Sequence, residues 1–163
     1  MTTPNPRGPE SAGVSLPLAL VLATIGFFAL AVFGLGAVSV MTDADIISVQ
    51  GLGQAPGVIG MIVALLAFAV TLWSALRRDR PSYVSAASIA LVSALAHLIA
   101  VWMAALIATG GFVTATAVAG DLVRGGASAV LLLAAAIAGW AGVALRRTRS
   151  RRPQWPWERD DEE

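Results

Sequence analysis

Hydrophobic positions along this chain fall in long unbroken blocks. Four stretches, 11–42, 46–76, 81–120 and 125–145, contain no Asp, Glu, Lys or Arg. Each is long enough to cross a bilayer, which needs about 20 apolar residues in a helix. The blocks predict four transmembrane helices at about 14–40, 57–76, 83–108 and 122–145. Between them lie an acidic, glycine-containing loop at 41–56, the tight turn Arg77-Arg78-Asp79-Arg80-Pro81, and a Gly/Thr-containing loop at about 109–120. No soluble domain fits between the spans. Segment 1–13 is polar with three prolines and reads as a disordered tail. Segment 146–163 reads as a second tail, basic at first and acidic at its end.

Small residues inside the blocks recur at an alternating three-four spacing, which keeps them on one face of a left-handed helix pair. The second span offers Gly57, Gly60, Ala64, Ala67, Thr71 and Ser74, and the third Ala86, Ala90, Ser93, His97, Ala100 and Ala104. The bulky residues of the third span, Leu91, Leu95, Leu98, Trp102 and Leu106, fall on its other side and are expected to face lipid. The first span gives Ala19, Ala23, Gly26, Leu30, Gly34 and Ala37, and the fourth Ser128, Leu131, Ala135, Ala138 and Gly142. Lipid supplies no hydrophobic drive for helix association, so close backbone approach must supply it. The expected fold is all-α, a polytopic membrane protein built as an antiparallel bundle of four transmembrane helices.

Composition agrees with the block pattern: 57% of the 163 residues are hydrophobic and 13% charged, against about 25% charged in a soluble domain. A water-soluble fold is excluded. The net charge of +1 hides a segregation, because ten of the eleven arginines fall on one side of the predicted spans and only Arg124 on the other. Positively charged short loops stay in the cytoplasm. Both termini and the 77–81 turn are therefore expected there, in a cell (plasma) membrane, with the Asp43/Asp45 and Asp121/Arg124 loops outside. The basic residues are all Arg and 32 residues are Ala, a bias typical of a GC-rich bacterial genome. Ala37-Val38-Ser39 also resembles a signal-peptide cleavage site. The apolar run before it is longer than the usual signal core of about 7–15 residues, and the leader holds a single Arg, so an uncleaved first span is the preferred reading.

Few residues could carry chemistry. The chain has no Cys, which removes disulfides, thiolate nucleophiles, Cys-ligated metals and a lipoprotein anchor. His97 is the single histidine, near the centre of the third span on its small-residue face, one turn after Ser93. An ionisable group within a membrane is a functional candidate, able to relay protons or ligate a metal or haem. Haem would want a second axial ligand, with Met61 or Met103 available. The plainer reading is a neutral histidine hydrogen-bonded to Ser93, Thr71 or Ser74, and no cofactor or metal site is expected.

Asp43 and Asp45 form an Asp-x-Asp pair, which reads as solvated turn or capping residues because no nucleotide-binding domain accompanies it. Asp121 and Arg124 stand at the spacing of a helical ion pair at the outer end of span four. The C-terminal tail places Arg146, Arg147, Arg149, Arg151 and Arg152 against the membrane, followed by Trp155 and Trp157. Such arginines attract anionic lipid at about 1 kcal/mol each, and tryptophan rings favour the interface. The alternative is a docking peptide, two tryptophans held between prolines as anchors for a cytoplasmic partner. Nucleic acid is not an expected partner, since the acidic end of the tail repels phosphate.

Thr42-Asp43-Ala44-Asp45-Ile46, Asp121-Leu122-Val123-Arg124 and Arg152-Pro153-Gln154-Trp155-Pro156-Trp157-Glu158 give the chain a layout that resembles a group of small actinobacterial four-span membrane proteins of unknown function. The resemblance implies a membrane location and nothing catalytic. No nucleophile–base pair, metal-ligand cluster or phosphate loop is legible, so an enzyme is not expected. Two functions stay open: an accessory or scaffold subunit of a membrane complex, with other membrane proteins as partners, or a small homo-oligomeric transporter or proton pathway using His97.

Overall fold

The computed structural model describes residues 14–42, 53–78 and 82–147. The expected tail 1–13, Asp43 and Asp45, residues 79–81 of the arginine-rich turn, and the tail beyond Arg147 with Arg149, Arg151, Arg152, Trp155 and Trp157 lie outside the described residues. Regular structure among the described residues is wholly helical: α1 (Leu16–Thr42), α2 (Ala55–Leu76), α3 (Val84–Thr109), α4 (Phe112–Arg124) and α5 (Ala127–Arg147). Helices α1, α2, α3 and α5 are long and apolar enough to cross a membrane. With 21 to 27 residues each, they are roughly 32 to 40 Å long at 1.5 Å per residue, against a hydrocarbon core of about 30 Å.

Proline and glycine set the helix ends. Pro56 sits in the first turn of α2, where its missing N–H would have had no intrahelical partner. Gly110 ends α3 in the left-handed region at φ 64°, its N–H donating to the Leu106 carbonyl at 2.8 Å. Gly126, at φ 83°, turns the chain from α4 into α5.

These two glycine pairs, 110–111 and 125–126, correct the expected layout. The segment 109–120 is not a loop: residues 112–124 form α4, and α5 opens at Ala127 rather than near 122. At roughly 20 Å α4 is too short to cross a bilayer. It is instead amphipathic, burying Ala115, Val118 and Leu122 at three-four spacing. That stripe covers part of α3, so Leu98, Trp102 and Leu106 pack against the α4 cluster rather than facing lipid, while Leu91 and Leu95 are exposed as expected.

The buried faces differ from the alternating pattern in a second way. On α1 they are Ala19, Ala23, Phe27 and Ala31, and on α2 Pro56, Gly60, Ala64, Phe68, Leu72 and Leu76. The α1 residues form a four-residue row, and so do those of α2 with buried Ala75 added beside Leu76, following the ridges of i±4n positions on an unsupercoiled helix. The three-four alternation therefore drifts off the buried face, and Leu30 and Ser74 are exposed while Ala67 and Thr71 are only half-buried. Where the rows meet, Phe27 and Phe68 stack with ring centroids 4.7 Å apart. On α3 the expected face holds through Ala86, Ala90, Ser93 and His97, then passes to Val101 and Ala105. Helix α3 packs against α2, α4 and α5, and α1 packs against α5 and α2.

Candidate functional site

Five hydroxyls on α1, α2 and α3 bond along their own helix, whereas Ser128 Oγ on α5 is buried with no hydrogen-bond partner among the described residues. Thr24, Thr71, Ser74, Ser93 and Thr109 each donate to the carbonyl four residues back, at 2.7 to 2.9 Å, a satisfaction that leaves no proton for a neighbouring helix. Ser93 and His97 are the polar side chains in the buried core among the described residues, 1% and 4% exposed.

His97 therefore lacks the partner that the plain reading assigns to it. Ser93 donates to the Ile89 carbonyl at 2.7 Å, Thr71 to Ala67 and Ser74 to Val70, and Nδ1 of His97 is buried with no hydrogen-bond partner among the described residues. The imidazole is admitted by Gly60 on α2: a Cβ there would lie 3.0 Å from Cδ2 and 3.1 Å from Nε2 of His97, and would overlap the Cγ2 of Val101. Glycine is thus needed at 60 to let α2 and α3 close around the ring. Of the two methionines considered as a second axial ligand, Met61 is half-buried beside this interface, whereas Met103 is 44% exposed on the outer surface and does not share the interior with His97. No group of three or more His, Cys, Asp or Glu side chains suited to a metal occurs among the described residues.

At one end of the helices, arginines and aromatic rings converge. Arg146 donates to the Val14 carbonyl at 3.2 Å, joining the end of α5 to the start of α1. The Arg147 guanidinium lies 4.8 Å from the Tyr83 ring, which is 6.1 Å from Trp140, and Arg77 stands 6.0 Å from the Trp73 ring. Sequence reasoning placed the interfacial tryptophans at 155 and 157; the structure adds Trp73 and Tyr83 beside arginines, and Trp140 beside Tyr83. Their signal was present, since Trp73 precedes Arg77 by one helical turn and Trp140 precedes Arg147 by two. Nineteen residues from Tyr83, roughly 28 Å along the helix axis, Trp102 donates from Nε1 to the Thr116 hydroxyl at 3.3 Å and meets Phe112 edge-on at 5.6 Å. This separation, about one hydrocarbon thickness, is the spacing at which interfacial aromatic belts occur in membrane proteins.

Asp121 and Arg124 do pair, at 3.8 Å, but in the last turn of α4 rather than at the head of the fourth span, and both are exposed. Such a pair contributes at most about 1 kcal/mol.

Residues 16–163 match the model of the Family of unknown function (DUF6121). The chain belongs to that family. The match begins with α1 and takes in every described helix together with the C-terminal residues. No curated protein and no solved structure matches the chain.

Proposed function

We propose that this member of the family is a non-catalytic accessory or scaffold subunit of a larger membrane complex. Its four long helices form an antiparallel bundle in the plasma membrane of an actinobacterium, with both termini and the arginine-rich turn in the cytoplasm. The observation that carries the reading is the chemistry of the interior: the Thr24, Thr71 and Ser93 hydroxyls committed to their own helices, faces of alanine and glycine, and no line of polar side chains through the described helices. Substrate pathways generally need several intramembrane polar groups and broken helices. The convergence of Arg146 with Val14 and of Arg147 with Tyr83 supports a shared arginine-bearing end, which the positive-inside rule puts in the cytoplasm. In this reading the tail anchors on anionic lipid and docks a partner through Trp155 and Trp157. Gentle-detergent purification from native membranes is expected to bring down a stoichiometric partner that Trp155→Ala with Trp157→Ala releases; co-purification unchanged by the double variant would remove tail docking.

A second reading is favoured by one specific observation, the buried and unpartnered Nδ1 of His97. In it, the chain forms an oligomeric proton or solute pathway through His97. A pH-dependent flux in proteoliposomes that survives His97→Ala unchanged would end that idea.

A further inference from the structure

A groove of about 490 Å³ lies between the last turns of α2 and the first turns of α3, at the arginine-bearing end. Its composition changes with depth. Arg78 and Ser82 line the end nearest the interhelical turn, Ser74 and Ser85 come next, and Val70 and Val92 line the part furthest along the helices. Val70 and Val92 are themselves exposed on the outer surface, so the apolar part opens sideways, towards where acyl chains would run.

Among the described arginines, Arg78 stands apart. Arg77 and Arg147 lie over aromatic rings, Arg124 pairs with Asp121, and Arg146 bonds the Val14 carbonyl. Arg78 has no such partner among the described residues and is exposed at the mouth of the groove. The first amides of α3 do not compete for an anion there: Val84 N–H donates to Ser82 Oγ, Ser85 N–H to the Ser82 carbonyl and Ala86 N–H to the Tyr83 carbonyl. The hydroxyl protons of Thr71, Ser74 and Ser85 go to backbone carbonyls, so their oxygens face the groove as acceptors. The groove thus offers one cation for a phosphate, acceptors for a hydroxylated headgroup, and an apolar exit for a chain.

We propose that this groove binds one anionic phospholipid with a hydroxylated headgroup, its phosphodiester on Arg78, its headgroup hydroxyls on the serines, and an acyl chain along Val70 and Val92. Charge complementarity supports the occupant, since a single guanidinium matches a single phosphodiester charge. The proposal is independent of the scaffold reading, and of the diffuse attraction of the tail arginines, because it requires one saturable site.

The test is native mass spectrometry of the full chain in detergent, titrated with phosphatidylglycerol or with phosphatidylcholine of identical chains. Both lipids offer the phosphodiester, but choline sets a cation beside the Arg78 guanidinium that the glycerol headgroup lacks, so one phosphatidylglycerol is expected to bind in preference to phosphatidylcholine by about tenfold, the scale of one charged contact. Arg78→Gln is expected to abolish that preference, and Ser88→Leu, which fills the groove without changing charge at an exposed position, to weaken binding of both lipids. Arg124→Gln, at the opposite end, is expected to leave the preference intact. Equal preference in wild type and Arg78→Gln, or an equal loss in Arg124→Gln, would overturn the site. Displacement of the lipid by inorganic phosphate at matched concentration would overturn the lipid as its occupant.

Discussion

The two hydrophobic clusters of this protein are assembled by different means. The larger joins α1, α2, α3 and α5 around the stacked Phe27 and Phe68, and its other members are mostly alanines set in four-residue rows. The smaller joins α4 to α3 through Val101, Ala105, Ala115, Val118 and Leu122, with Ala127 at the head of α5. In the first, helices long enough to span are brought within backbone distance, so that Gly142 lies where a Cβ would come within 3.0 Å of the Ala23 Cβ and 3.2 Å of Leu72. Dispersion at close range holds such an interface, since apolar lipid gives no transfer gain for burying apolar groups. The second resembles a soluble core, a short amphipathic helix laying one stripe on a larger partner. Cohesion therefore depends on close approach in one region and on the burial of a stripe in the other.

That contrast can be broken from the larger side by Phe68→Ala. It deletes half of the ring stack at a fully buried position and is expected to cost about 3–5 kcal/mol by cavity formation, read as a large drop in detergent melting temperature of all four long helices together. Leu122→Ala, 2% exposed on α4, should cost about 2–3 kcal/mol, but locally. Hydrogen exchange is expected to rise across α4 while the long helices stay protected; a uniform rise would mean that the two clusters unfold as one. The finest probe pairs two glycines. Gly60→Ala forces a Cβ onto Val101 and His97, whereas Gly26→Ala meets nothing within 4 Å. The first is expected to lose about 1–3 kcal/mol and the second to be neutral within about 1 kcal/mol. Equal effects at both positions would show that the close approach of α2 and α3 at Gly60 does not contribute to stability.

Much of the α3 face was readable before any coordinates, because Ala86, Ala90, Ser93 and His97 lie on one stripe in any straight helix. His97 and Ser93 were legible as interior residues for the same reason. Their relation was not, since a serine one turn away can reach either the imidazole or its own helix, and here the Ile89 carbonyl takes the proton. Helix α4 escaped because its stripe of three small or medium residues sits in a polar, glycine-bounded stretch that looks like a loop when spans of full length are sought. The pairing of Arg147 with Tyr83 joins residues far apart in the chain, and no local pattern announces it.

By itself, the sequence determined that the chain is helical and suited to a membrane: charge-free blocks of spanning length, arginines gathered towards one side and a lone histidine inside one block are properties of composition and order. The tertiary structure alone decided which helices touch, that two phenylalanines rather than small residues meet at the centre, that Gly60 makes room for His97, and that Arg78 is left over a groove between α2 and α3. The division follows from range. Span length and charge placement are fixed within one segment by hydropathy, whereas rotation and proximity of helices depend on side-chain fit between segments, which only the packed structure specifies.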